Sequence, residues 1–568
     1  MKSAHFTCRF LMVSACLTSP FAFAQSIPKN VQQQIDEVSR QRVPVAPLPK
    51  TPSFDLRLQA PEKTAVPKAV DELRFEVEAV RVEGSTVYDK ATLDGIFAAA
   101  VGPAVSLDAL RTAADALESR YRSEGYFLTR VFIPPQEVRD GIFRVQVIEG
   151  YLAAVYVDNV ADERLRQRIE AITAPLLKKR PIDVASIERA LLFINDLPGV
   201  IGTSVLRQGA ELGASEIVVS VAEDGDSHSL SFGNTGSKTI GPASLGLNSN
   251  FNRPLGLSGA LNVGVNSASP DDRELSSLSV RYTWPVGAAG TSLSLGANVA
   301  SAYPGGAVKV LGLESLSSAT SLRLRQPLLR SRSVSLFADL GVSFNRSRTL
   351  QTDELVTHDR STVAEARLSW QQNGWGNGST TGALALSKGL PRWHAIRRDT
   401  PEADTASVVG FRPDFSKWSF SLTRIQPLPK GFSIMASLDA QHTRDRLLSG
   451  ESIGFGGTSI GRGYLGSAIT GERGMGGIIE FRYDTPVPAI GRVQFYASLD
   501  RASTRTAAYE PTGSEATHQR LASRAFGARV PIANRGQVDL QVGRPNWALP
   551  DDDASGHTRY VFMGSASF

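Results

Sequence analysis

The sequence predicts an all-β transmembrane barrel preceded by two small α+β domains, and three observations predict it. Between residues 224 and 568, apolar and polar side chains alternate in run after run, the two-residue period of a strand with one apolar face, in a membrane barrel or a soluble sandwich alike. The chain opens with an export signal. Beyond that signal no segment holds 18 consecutive apolar residues, so no spanning helix is predicted, and an exported chain of this kind crosses a membrane only as a closed barrel.

The export signal is Met1 to Ala24. It has a short basic start (Lys2, Arg9), an apolar run from Phe10 interrupted by Pro20, and Ala22-Phe23-Ala24 as a cleavage site, leaving Gln25 as the first mature residue. The only two cysteines, Cys8 and Cys16, lie inside it, so disulfides and cysteine-based metal or thiol chemistry are excluded from the mature chain. Losing Lys2 and Arg9 lowers the formal charge from +5 to +3, too mild a balance over this length to predict a nucleic-acid partner.

Residues 25–74 read as a helix and a linker. Val31, Ile35 and Val38 fall at i, i+4 and i+7 on a Gln-rich segment, a narrow apolar stripe. Pro44, Pro47, Pro49, Pro52, Pro61 and Pro67 then forbid regular structure and make an extended tether. A polar helix on such a tether is expected to act as a detachable plug.

Residues 75–223 repeat one pattern twice. Phe75 to Val82 alternates as a strand, Tyr88 to Val101 and Leu107 to Tyr121 carry helical spacing, and Leu128 to Ile133 and Ile142 to Ile148 are strands. The same order recurs as strand Leu152 to Val157, helices Glu163 to Leu177 and Val184 to Leu197, and strands Val200 to Leu206 and Glu216 to Val221. A period near 75 residues predicts tandem α+β domains at 75–150 and 151–223.

Specific strings in these domains carry a resemblance. Gly125-Tyr126-x-x-Thr129-x-Val131-x-Ile133-Pro134-Pro135-Gln136, with Asp140-Gly141 and Val147-Ile-Glu-Gly150, resembles the first polypeptide-transport-associated (POTRA) domain of two-partner secretion transporters, the haemolysin and filamentous-haemagglutinin transporter family. Arg189-Ala-Leu-Leu-Phe-Ile-Asn195-Asp196-Leu-Pro198-Gly199-Val200 is similar to the signature of the second.

The barrel alternation is plainest at Val334 to Phe344, at Trp418 to Thr423, and at Phe432 to Leu438 after a Pro-Lys-Gly turn. Similar runs occur at Leu278 to Trp284 and Leu293 to Val299. Counting back by twos from Phe568 gives Phe, Ala, Gly, Phe, Tyr. The resemblance implies that a last strand ending in an aromatic residue is the barrel's assembly signal, and that the barrel has 16 strands. Residues 224–568 then leave about 21 to 22 residues per strand with its connection, a compatible length. Phe251 to Gly259 resembles the family's early barrel turn, and Ala525 to Val530 through Gly543-Arg-Pro545 its last hairpin.

One barrel segment stands apart. Gly454 to Gly477 holds ten glycines in 24 residues, a density kept where chain turns tightly or presses on other backbone. Gly461-Arg-Gly-Tyr-Leu-Gly466 matches a dinucleotide fingerprint, but no strand precedes it and no helix follows, so a nucleotide site is rejected. The segment reads instead as a loop folding into a confined space with Arg462. The resemblance implies that this loop enters the barrel, that Arg462-Gly463-Tyr464 forms its tip with Gly461 in place of a usual Val, and that Arg462 pairs with Asp500 on a facing strand. A planar guanidinium bound bidentately to a carboxylate would fix direction as well as distance.

Catalysis is not predicted. Seven scattered histidines give no metal spacing, no cofactor motif or nucleophile elbow occurs, and Asp551-Asp-Asp553 reads as a solvated loop rather than a calcium site. The resemblance implies an outer-membrane pore of a Gram-negative bacterium that recognises an unfolded cargo in the periplasm and moves it outward without ATP. Its implied partners are a large β-helical exoprotein such as an adhesin or haemolysin, outer-membrane lipid and the barrel-assembly machinery. The alternatives are a barrel-assembly insertase and a passive porin.

Overall fold

A computed structural model describes residues 74–568 apart from 139, 237–238, 242, 270–273, 533–534 and 550–555. The signal segment, the linker and the helix bearing Val31, Ile35 and Val38 lie outside the described residues, as does Asp551-Asp-Asp553.

The first N-terminal unit runs β1 (Arg74–Val77), β2 (Ala79–Glu83), α1 (Lys90–Phe97), β3 (Gly102–Ser106), α2 (Leu107–Ser123), β4 (Arg130–Phe132) and β5 (Ile142–Ile148). The single strand expected at 75–82 is broken at Glu78, whose N–H turns to the Gly141 carbonyl. Its first half pairs with β3, a strand the sequence reading did not contain, and its second half joins the sheet β2-β5-β4. The second unit is β6 (Tyr151–Asp158), α3 (Glu163–Leu177), α4 (Val184–Asn195), β7 (Val200–Gln208) and β8 (Ala214–Glu223), with sheet order β6-β8-β7. Each helix starts where an Asp or Ser side chain accepts from the first turn: Asp89, Ser106, Asp162 and Asp183. Each unit has its own core, one around Leu110, Leu117 and Tyr121, the other around Ile169, Ile187 and Val219.

Sixteen antiparallel strands follow and close into one barrel. The first half is β9 (Ser227–Gly233), β10 (Ser244–Asn252), β11 (Ala260–Ala268), β12 (Leu275–Val286), β13 (Thr291–Ala302), β14 (Leu313–Arg330), β15 (Val334–Gln351) and β16 (Glu354–Asn373). Then come β17 (Ser379–Gly389), β18 (Ser416–Pro427) and β19 (Phe432–Thr443). A short hairpin of β20 (Ile453–Phe455) and β21 (Ile469–Gly471) interrupts the sequence without joining the wall. The ring resumes with β22 (Arg473–Val487), β23 (Gly491–Thr506), β24 (Thr517–Ile532), β25 (Gly536–Pro545) and β26 (Arg559–Ser567). Its joint is β26 against β9, Met563↔Gly233 through Ser567↔Ser229. Leu340, Leu499, Phe526 and Tyr560 are each at least 60% exposed, which is the apolar outer face that alternation requires of a wall facing lipid.

Candidate functional site

The loop between β19 and β22 spans residues 444–472. The sequence reading ended it at Gly477, but 473–477 already pair with β19 and β23, because glycines there let the wall lie close to Phe455. Phe455, Ile460, Tyr464 and Ile469 of the loop bury themselves against Ile478, Ala502 and Leu521, which point inward from the wall. The loop thus has an apolar seat inside the barrel, worth about 1.5–3 kcal/mol per fully buried large side chain.

Gly461 sits at φ +94°, left-handed backbone that a Val would adopt only under strain, so its departure from the family tetrad fits this turn. At Gly463 the loop touches the wall backbone to backbone. A Cβ there would lie 2.6 Å from Arg544 C, and a Cβ on Gly543 would lie 2.5 Å from Arg462 O. Buried Tyr464 donates its hydroxyl to the Trp547 and Ala522 carbonyls at 2.9 and 3.2 Å, while Arg559 of β26 donates to the Tyr464 carbonyl at 2.5 Å and to Thr235 O at 3.1 Å.

The expected pairing of Arg462 with Asp500 needs correction. The guanidinium pairs with Glu480 on β22, Nη1 to Oε2 at 2.5 Å, and also donates to Ser498 Oγ and Thr458 O. Asp500 on β23 grips the loop's main chain instead. Its Oδ2 accepts the Arg462 N–H at 3.1 Å, and its Oδ1 accepts the Ser523 N–H and hydroxyl at 3.1 and 2.7 Å. Ser523 Oγ in turn accepts the Gly463 N–H at 2.9 Å. The two-residue strand period explains the exchange: Ile478, not Glu480, lies opposite Asp500, so the acids stand at different heights on the inner wall. The lower one meets the side chain and the upper one the backbone.

Glu480 is fully buried and serves three guanidiniums: Arg462, Arg482 at 2.5 Å and Arg529 at 2.8 Å. Arg529 also reaches Asp539 at 3.1 Å, and Tyr496 donates to Asp539 at 2.7 Å. Both Arg462 and Arg529 lie over the Tyr496 ring, 5.2 and 4.2 Å from its centroid. Three arginines and three acids (Glu480, Asp500 and Asp539) thus make up the buried cluster, with ion pairs to Glu480 and Asp539, so it is charge-balanced, as desolvated ions must be. Glu480, Tyr496, Ser523, Arg529 and Asp539 were not singled out from sequence. The available signal was Glu480 and Arg482 two apart in Gly477-Ile-Ile-Glu480-Phe-Arg482-Tyr, charges on the inward parity of an otherwise apolar strand.

The signature residues of the N-terminal units fall at junctions. Gly125, at φ +97° after α2, accepts the Val184 N–H at 3.0 Å, and Gly150 accepts that of Ile182 at 3.0 Å, tying the first unit to the second. Tyr126 packs edge-on against Tyr121. Pro134 cannot donate to a sheet, and the Gln136 side-chain amide takes over, bonding the Arg144 N–H and carbonyl at 2.8 Å each. Pro198 follows the end of α4. Gly199, at φ +69°, would clash with Asn252 of the barrel if it bore a Cβ. Beside it Asp196 binds buried Arg330 bidentately at 2.7 and 2.9 Å. Phe568 exchanges two backbone hydrogen bonds with His228 of β9 and stacks on its ring.

Across from the locked wall lies a cavity of about 640 Å³. Asn262, Ser279, Arg281, Asn298, Ser321 and Asn345 line it on one side, and Phe455, Ser459 and Ser467 of the loop on the other.

With this geometry in hand, the family model for the haemolysin secretion/activation protein ShlB/FhaC/HecB matches residues 213–530, and the model for the ShlB-type POTRA domain matches residues 75–150. The chain belongs to this family. It is 22% identical to the heme/hemopexin transporter protein HuxB of Haemophilus influenzae over 490 residues, 84% of this chain and 85% of that protein. It is 24% identical to the outer membrane transporter CdiB of Escherichia coli over 542 residues, 93% and 88% of the two chains. The solved structure of Escherichia coli CdiB superposes with a TM-score of 0.71 at 21% identity, covering 98% of this chain and all of that one. Members of the ShlB/FhaC/HecB family are two-partner secretion transporters of the outer membrane with periplasmic POTRA domains, and the protein exports a partner protein. The match favours secretion over barrel assembly.

Proposed function

We propose that the cargo crosses as an unfolded chain between the loop 444–472 and the Ser/Asn-lined wall, while Arg462, Gly463, Tyr464 and Asp500 hold the loop against β22–β25. The observation that carries this reading is the asymmetry of the lumen: a buried, charge-balanced lock on one side and the cavity on the other. Strands β2, β4, β6 and β7 form the sheet edges of the two periplasmic units, and an unfolded cargo segment can add to such an edge. A large β-helical exoprotein suits this route, since its folding outside would supply direction without nucleotide. The pairing of Phe568 with His228 supports its reading as the signal presented to the barrel-assembly machinery. In this account residues 28–42, bearing Val31, Ile35 and Val38, fill the lumen at rest.

Secretion assays at matched outer-membrane levels test the route. A bulky residue at Ser321 is expected to block export while the barrel assembles, and export at the wild-type rate would place the cargo elsewhere. Deletion of 28–42 is expected to raise conductance in planar bilayers, and unchanged conductance would remove the plug from the lumen.

A further inference from the structure

The outside of the locked wall carries a second feature. Along four consecutive strands, the apolar outer face ends toward the extracellular side at Met475, Leu499, Phe526 and Val542, all between 42% and 62% exposed. The next outward position on each strand is arginine: Arg473, Arg501, Arg524 and Arg544. Two further arginines, Arg505 and Arg520, stand two outward positions beyond Arg501 and Arg524. Register brings them face to face, with Arg473 opposite Arg505 and Arg524 opposite Arg544. Like charges directly opposite in a ladder destabilise it.

Among the described residues, Arg473, Arg501, Arg505, Arg524 and Arg544 make no ion pair, and no acid shares their outward face on β22–β25, since Glu480, Asp500 and Asp539 all point inward. The opposite side of the barrel differs at one of its arginines. There Arg346 faces Arg360 across β15–β16, and Arg360 is taken by Glu402. A groove of about 370 Å³ also opens beside the cluster, where Trp418, Phe420, Ala440 and Met475 adjoin Arg473 and Arg505.

We propose that this surface binds a phosphorylated glycolipid of the outer leaflet, with its phosphates on the arginines and an acyl chain in the Trp418–Met475 groove. Arginine at the upper border of an apolar belt stands at headgroup height, and its planar fork suits phosphate oxygens. Because β22–β25 also carry the lock on their inner face, the bound lipid would brace the wall to which the loop is fastened.

The full-length barrel, purified in detergent, would be titrated with bis-phosphorylated lipid A, dephosphorylated lipid A, phosphatidylglycerol and inorganic pyrophosphate. Native mass spectrometry and thermal melting are the readouts. Preferential binding of, and stabilisation by, the bis-phosphorylated glycolipid is expected. Equal effects of dephosphorylated lipid A or phosphatidylglycerol would overturn the proposal, and a response to pyrophosphate alone would reduce the site to a simple phosphate-binding surface. Arg501→Gln and Arg524→Gln are each expected to weaken lipid A binding about fivefold. Arg346→Gln on the far wall is expected to leave it unchanged, and an equal loss there would also overturn the site. The wild-type titration stands even if a variant fails to assemble.

Discussion

The two sides of the lumen are built on different rules. Strands β22–β25 present Glu480, Asp500, Ser523, Arg529 and Asp539 to the loop, each bonded to a named partner, and add an apolar seat around Tyr464. Strands β11–β15 present Ser and Asn onto open space together with Arg323, which pairs with Glu365 of β16, and Arg281, which makes no ion pair among the described residues. The first surface is specific and dry enough to hold one conformation. The second offers donors and acceptors to the cavity through which the cargo is proposed to pass. A secretion pore needs both, since a wall that held the loop and the cargo equally well would release neither.

Five substitutions break or sharpen this contrast. Glu480→Gln should be the most damaging, because it leaves three guanidiniums facing one another. Unpairing a buried ion costs about 3–5 kcal/mol, and a partly wet lumen puts the value near the lower end. A fall in the melting temperature of the folded barrel, read by heat-modifiable gel mobility, and loss of secretion are expected. Arg462→Ala comes next, with secretion lost at normal membrane levels. Combined with Glu480→Gln it should be less than additive, since it removes one stranded cation, and strict additivity would dissolve the network. Asp500→Asn is expected to be milder than either, because an amide oxygen in the place of Oδ1 still accepts the two bonds from Ser523. A loss as severe as that of Arg462→Ala would mean that the main-chain grip, not the ion pair, carries the lock.

The anchor between the second periplasmic unit and the barrel should matter less. Asp196→Asn keeps the shape but loses the charge facing Arg330, weakening docking by roughly 1–2 kcal/mol. Faster proteolysis between residues 223 and 227 would report it. Smallest of all is Arg281→Gln on the open wall. Melting and secretion should hold while ion selectivity in bilayers shifts toward cations. A large loss of stability there would show that the open wall is structural after all.

Much of this was legible beforehand. Period-two alternation at Val334 to Phe344 marked outward and inward parity correctly, and helical spacing started the helices at Glu163 and Val184, where the structure starts them. What escaped was pairing across strands. Alternation says that Glu480 and Asp500 both face inward but not which of them stands beside Arg462, because relative height depends on the stagger between β22 and β23. The Gly102–Ser106 strand escaped for a related reason: a short Gly-Pro segment lacks strand propensity, and only its partner β1 makes it one.

The joint between β26 and β9 sets the order in which the molecule can be completed. The other ladders of the ring link strands consecutive in the ring, most through short turns, whereas Asn234 and Tyr560 at the joint are 326 residues apart in sequence. Contacts of that separation form late in folding, after the intervening chain has been organised. Arg559 lies at this joint and holds both Thr235 and the carbonyl of Tyr464. The loop tip therefore gains its last fastening only when the cylinder shuts, and a barrel still open at its side holds a loop not yet fully secured.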